Sequence, residues 1–160
     1  MPGPAARPVL FLDVDGPLLP FGGTPRLHRP APPGNPLLAR LDPAHGARLA
    51  ALPCELVWAT TWHTDANEVI APLLGLPALP VVADWPDEDE PGPVHWKTRT
   101  LVAWAGGRDF VWADDEITAA DRAWVASHHP GRALLHRVDP RTGLTVPDYG
   151  VIAAWLAGRS

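Results

Sequence analysis

Residues 9–12, VLFL, are apolar at every position. A strand with one wet face alternates polar and apolar residues. A run without alternation has to be covered on both faces, as in a parallel sheet held between helices. Similar short runs recur at 55–60 (ELVWAT), 79–82 (LPVV), 110–113 (FVWA) and 133–138 (ALLHRV). Helical stretches fall between them. Asp42 reads as an N-cap with Pro43 at the first helical position, opening a helix to about Leu52. Asp65 reads as the cap of a helix carrying Val69, Ile70, Leu73 and Leu74 and stopped by Gly75. Further helices are expected over 95–105, with Trp96, Thr100 and Trp104 on one face, and over 118–127 and 147–156. Strand–helix alternation with right-handed crossovers predicts an α/β fold: a three-layer α/β/α, Rossmann-like parallel sheet of five strands.

The length of 160 residues fits one domain spanning 1–160, and the sequence shows no internal repeat. No apolar run is long enough to span a bilayer, so no membrane partner is expected. The start MPGPAARP lacks the basic and apolar regions of a secretory leader. Cys54 is the sole cysteine, which excludes an internal disulfide and suits a reducing compartment, the cytoplasm by default. The net charge of −5 argues against a generic nucleic-acid-binding surface but leaves room for a local basic patch. Lys97 is the one lysine among 13 basic residues.

Ligands of parallel α/β sheets bind at the carboxyl ends of the strands, and the polar residues of this chain cluster there. Asp13 and Asp15 follow the first strand, Thr60 the second, and Asp114 and Asp115 end the FVWA run. Lys97 opens the helix leading into that run. Carboxylates gathered on one edge repel unless a cation sits among them, and oxygen-only donors favour a hard ion such as Mg²⁺. A cation, a lysine and a hydroxyl together suit phosphoryl transfer, since all three stabilise charge on phosphoryl oxygens. One carboxylate can attack phosphorus, and a second, two residues on, can shuttle the proton.

FLDVDGPL resembles the first motif of the haloacid dehalogenase (HAD) superfamily, and VWAT, Lys97 and FVWADDE resemble the second, third and fourth, in that order. WATTW followed by AN, the helix from Lys97 to Trp104, GRDFVWADDE and DPRTGLT are similar to the small HAD domain associated with Swiss-army-knife RNA repair proteins. The resemblance implies a HAD-like phosphatase with Asp13 as nucleophile and Asp15 as general acid and base. Thr60 and Lys97 would hold the phosphoryl group. Thr61 competes with Thr60 as the hydroxyl donor, strand register favouring Thr60. Mg²⁺ would be bound by the Asp13 side chain, the Asp15 main-chain carbonyl and Asp114, with Asp115 direct or through water. The gaps between motifs leave no room for a helical cap domain, so a capless core with a short flap after the first strand is expected. Such an open site admits the end of a large substrate, a nucleic-acid end or a phosphoprotein, or closure by a partner subunit, for instance in a homo-oligomer; RNA or nucleic-acid ends and nucleotide phosphates are the expected substrates.

Other functions remain in view. A receiver domain would need its phosphorylated aspartate before Thr and Lys and its second acidic pair elsewhere in the order. A carboxylate-only nuclease would leave Thr60 and Lys97 without roles. A non-catalytic binding module and a small-molecule phosphotransferase are the nearest alternatives to a phosphatase. Trp58, Trp112, Trp104 and Trp124 read as core. Trp62 and Trp96 read as core too, the alternative being a pocket wall that stacks a base. His63 reads either as an exposed residue before a helix or as a substrate contact. Arg26, His28 and Arg29 in the loop 20–36 are the candidates for holding a polynucleotide backbone, opposed by the acidic stretch 84–94.

Overall fold

The computed structural model describes residues 7–22, 27–28, 36–83, 85 and 94–158. Strand β1 (Val9–Leu12) leads to a 3₁₀ turn (Pro36–Arg40), helix α1 (Ala44–Ala50) and strand β2 (Glu55–Trp58). A wide π-type turn (Ala66–Ile70) runs into helix α2 (Ala71–Leu74). Then come α3 (Thr98–Ala105), β3 (Phe110–Asp114), α4 (Ala119–His128), β4 (Ala133–Arg137) and α5 (Val146–Ala157). Among the described residues the sheet has four strands in the order β2-β1-β3-β4, every pair parallel.

The unbroken apolar run in β1 is explained by its two neighbouring layers. Leu10 and Leu12 belong to a core with Leu49 of α1, Leu74 of α2 and Tyr149, Ile152 and Leu156 of α5. Val9 and Phe11 point the other way, into a core with Leu101 and Ala105 of α3 and Val125 of α4. Trp58 and Trp112 are completely buried, one in each core. Residues i and i+1 of a strand face opposite sides, so every β1 position has to be apolar.

The strand expected over 79–82 is reduced to one bridge between Trp58 and Val81. Pro80 has no N–H to give; its carbonyl accepts from Trp58 N, and Val82 N donates to Trp58 O. The helix expected from residue 95 starts at Thr98, because His95 N donates to Asp121 Oδ1 and residues 95–97 turn instead. At α1 the N-cap position is Pro43, while Asp42 accepts from Ala44 N one residue earlier. Asp65 precedes the π turn without making a capping bond. Asn67 anchors that turn, accepting from Trp58 Nε1 and Leu79 N and donating to Leu79 O. Capping boxes open α4 (Thr118, Asp121) and α5 (Thr145, Asp148). Trp104 is 36% exposed and touches Phe11 edge-on.

Between β1 and α1 the described chain makes a tight turn over residues 16–19, with a bridge between Asp15 and Leu19 and Gly16 N donating to Leu19 O. Arg26, Arg29 and most of the stretch 84–94 lie outside the described residues. His28 is described, and its Nδ1 lies 4.0 Å from Asp42 Oδ1. Among the described residues no helix is long and apolar enough to cross a membrane.

Candidate active site

Register sets the site. Leu12 pairs with Trp58 on one side and with Ala113 on the other, so β1, β2 and β3 end level. Asp13, Thr60 and Asp114 therefore emerge at one edge. Asp13 N donates to Ala113 O and Ala59 N to Leu12 O, which ties the three ends together.

Lys97 Nζ sits at the centre. It lies 2.9 Å from Asp114 Oδ2, 3.3 Å from Asp13 Oδ2, and donates to Ala59 O at 2.9 Å. Val14 N donates to Asp13 Oδ1 at 2.8 Å. Asp114 also accepts from Trp112 Nε1 and, at Oδ1, from Glu116 N. Carboxylate oxygens of Asp13, Asp114 and Asp115 all lie within 4.8 Å of one another.

One lysine does not balance three carboxylates. Burial, reinforced by Asp114, pushes the Asp13 carboxyl up to about 8 despite the nearby Lys97 ammonium. Burial, Asp114 and Glu116 together push Asp115 up to about 6. Burial alone would lower Lys97, but Asp13 and Asp114 beside it raise its proton affinity above the usual value. The site thus carries an excess of negative charge on oxygen donors alone, which fits a hard divalent cation held by Asp13, Asp114 and Asp115.

A cleft of about 390 Å³ opens over this cluster, lined by Asp13, Asp15, Thr61, Lys97 and Asp115. Phe21, His95, Trp96 and Glu116 complete the wall. Asp114 and Thr60 lie buried under the floor. The Thr60 hydroxyl accepts from Trp62 N, and its carbonyl accepts from Trp85 Nε1. Thr61 is exposed on the cleft wall. His63 is exposed in the left-handed region at φ +51° and is not among the lining residues.

The core reading holds for Trp62, which packs against the first core, and is corrected for Trp96, which lines the cleft. Trp62 is half-buried, and its Nε1 donates to Asp15 Oδ2 at 3.2 Å, fixing that carboxylate. Trp96 is half-buried on the cleft wall, against Trp85 edge-on and His95 tilted. Phe21, His95 and Glu116 were not anticipated. His95 Nδ1 accepts from Lys97 N, so Nε2 carries the proton and donates to Glu116 Oε2 at 2.8 Å.

Two glycines let the flap close on the cluster. Gly16 has φ +99°, and a Cβ there would stand 2.8 Å from Asp115 Cγ. Gly143, at φ +69°, packs against Pro17 O, and its neighbour Leu144 N donates to that same carbonyl. Phe21 N donates to Pro140 O. The DPRTGLT segment thus holds the turn after β1 in place.

A parallel sheet between helical layers, with these side chains at its carboxyl edge, defines a HAD-like Rossmann fold. A family model described as the HAD domain in Swiss Army Knife RNA repair proteins matches residues 9–149, and the chain belongs to that family. Comparison with curated proteins and with solved structures gives no significant match.

Proposed function

We propose that the protein is a Mg²⁺-dependent phosphomonoesterase working through an aspartyl-phosphate on Asp13. Its substrates would be nucleic-acid ends or nucleotides, in keeping with the RNA repair proteins for which the family is described. The observation that carries the reading is the placement of Lys97 Nζ between Asp13 and Asp114 at the floor of an open cleft. Asp13, Asp114 and Asp115 would hold Mg²⁺, which when bound offsets their charge and that of the phosphoryl oxygens.

In the first half-reaction an Asp13 oxygen attacks phosphorus in line as the bond to the leaving oxygen breaks. Asp15, held by Trp62, gives its proton to that oxygen. In the second half-reaction the Asp15 carboxylate takes a proton from water, whose oxygen attacks phosphorus. The bond to Asp13 breaks, releasing phosphate and restoring both carboxyl groups. Lys97 neutralises phosphoryl oxygens, and a threonine donates a hydrogen bond to one of them. Thr61 already faces the cleft; Thr60 would do so only if its hydroxyl turned from Trp62 N toward the ligand. Comparing Thr60→Val with Thr61→Val separates the two.

The test is phosphate release with Mg²⁺ from nucleoside monophosphates and from oligonucleotides phosphorylated at either end. Asp13→Asn is expected to lower the rate by at least about a thousandfold, the usual scale for removal of a nucleophile. Undiminished turnover in that variant removes the mechanism.

A further inference from the structure

Most of the cleft wall is charged or polar, and two large rings interrupt it: Phe21 and Trp96. The Phe21 ring is 41% exposed and stands at the charged mouth beside Trp96, where it offers an apolar face to whatever enters. It is not a loose loop residue. Pro20 O accepts from Arg40 Nη1, and Phe21 N donates to Pro140 O at 2.7 Å, so both polar groups of the peptide unit leading into Phe21 are held. Trp96 is braced in turn by Trp85, His95 and the Lys97 ammonium 5.5 Å from its ring. The Trp96 ring and the peptide leading into Phe21 are thus positioned by contacts within the protein itself.

From this juxtaposition we infer that Phe21 and Trp96 form the seat for the ring of a nucleoside whose phosphate lies at Asp13 and Lys97. The inference rests on the phosphomonoesterase reading above and names the two residues that select its substrate. Stacking on a π-face tolerates every base, so the seat would discriminate nucleoside from non-aromatic phosphates without reading sequence. Two sources carry this chemistry, a free nucleotide and the end of a polynucleotide. A longer strand would run past Arg137, whose Nε donates to the carbonyl of Asp115, and Arg141, which is paired with Asp139 and whose Cγ lies near Gly22, next to Phe21.

Two measurements test the seat. The first is kcat/KM with Mg²⁺ for nucleoside monophosphates against glycerol phosphate, in wild type, Phe21→Ala and Phe21→Trp. Loss of one stacked ring corresponds to roughly a tenfold change or more. The wild-type preference for nucleosides should therefore fall about tenfold in Phe21→Ala, through KM rather than kcat, and return in Phe21→Trp. An unchanged preference in Phe21→Ala overturns the seat while leaving the phosphatase standing. The second is calorimetric binding of the same ligands to Asp13→Asn protein with and without Phe21→Ala. Binding of nucleoside phosphates that depends on Phe21, in a wild-type protein that hydrolyses none of them, supports the seat and removes the phosphatase. Nucleoside phosphates that bind no better than glycerol phosphate overturn the seat. A phosphorylated decanucleotide added to both series identifies the source. Tighter, salt-sensitive use of the decamer that is lost in Arg137→Ala/Arg141→Ala marks a polynucleotide end, and equal use marks a free nucleotide.

Discussion

Lys97 Nζ and Asp114 Oδ2 lie 2.9 Å apart with both side chains almost wholly buried, and the ammonium reaches Asp13 as well. Removing one partner of a buried ion pair leaves an uncompensated charge, at a cost of about 3–5 kcal/mol. Lys97→Met is therefore expected to lower stability in urea titrations by about that amount in metal-free buffer. Mg²⁺ should restore part of the loss, and phosphate release should fall by at least about a hundredfold. A variant as stable as wild type without metal would show that Lys97 is not the counter-charge.

The carboxylates set an unusual pH dependence. Asp13 titrates near 8 in the fold and near 3.8 unfolded, and Asp115 near 6. A group whose folded value is raised adds stability that is complete below its unfolded value and lost as pH rises through the folded one. Metal-free protein should therefore lose stability from about pH 4 to pH 8, and Asp13→Asn should flatten much of that slope. Because the cation competes with these protons, Mg²⁺ affinity should rise over pH 6–8. Calorimetry in buffers of different ionisation enthalpy would detect the protons released.

His45 has the opposite sign. Its ring is buried, its Nδ1 lies 2.6 Å from the Tyr149 hydroxyl, and burial pushes its value down to about 4. A depressed histidine contributes stability above its unfolded value of 6.5 that is lost as pH falls toward 4, up to about 3 kcal/mol in all. Tyr149→Phe leaves the ring nitrogen without its partner and should cost about 1–3 kcal/mol at pH 7. Denaturant melts at pH 7 and pH 5 measure both effects.

Gly16 links the backbone to the carboxylate cluster. Alanine there meets both a left-handed φ and the Asp115 carboxyl 2.8 Å away. Gly16→Ala should destabilise by about 1–3 kcal/mol and reduce phosphate release well beyond what the melting change accounts for, since Asp115 is displaced. Gly150→Ala, inside α5 with open space around the added carbon, is the control and should leave phosphate release unchanged while raising stability by about 0.5–1 kcal/mol through the better helix propensity of alanine.

The site's acidic, hydroxyl and lysine positions were legible because each follows or opens an element whose pattern is local. VLFL and FVWA show no alternation, so their ends, and the aspartates beyond them, could be located in the sequence alone. The segment 79–82 misled because its apolar character is that of a strand while Pro80 removes the ladder donor. The Asp15 bond of Trp62 and the cleft position of Trp96 were not legible, because an indole's partner is not written in its neighbours. The Trp62 bond to Asp15 spans 47 positions of sequence. Phe21 sits in a Gly/Pro-rich stretch without periodicity, and its setting depends on Arg40 and Pro140, which no local pattern connects to it.

The contacts of Pro140 and Leu144 with the turn after β1 also bear on how the protein is made. The turn after β1 takes its working shape only when a segment synthesised much later than itself has docked on it. A nascent chain halted before Pro140 would carry every clustered carboxylate and the lysine, yet lack the brace that sets Phe21 and the flap. Competence at this edge of the sheet should therefore arrive late, with synthesis of that segment, rather than grow in step with chain length.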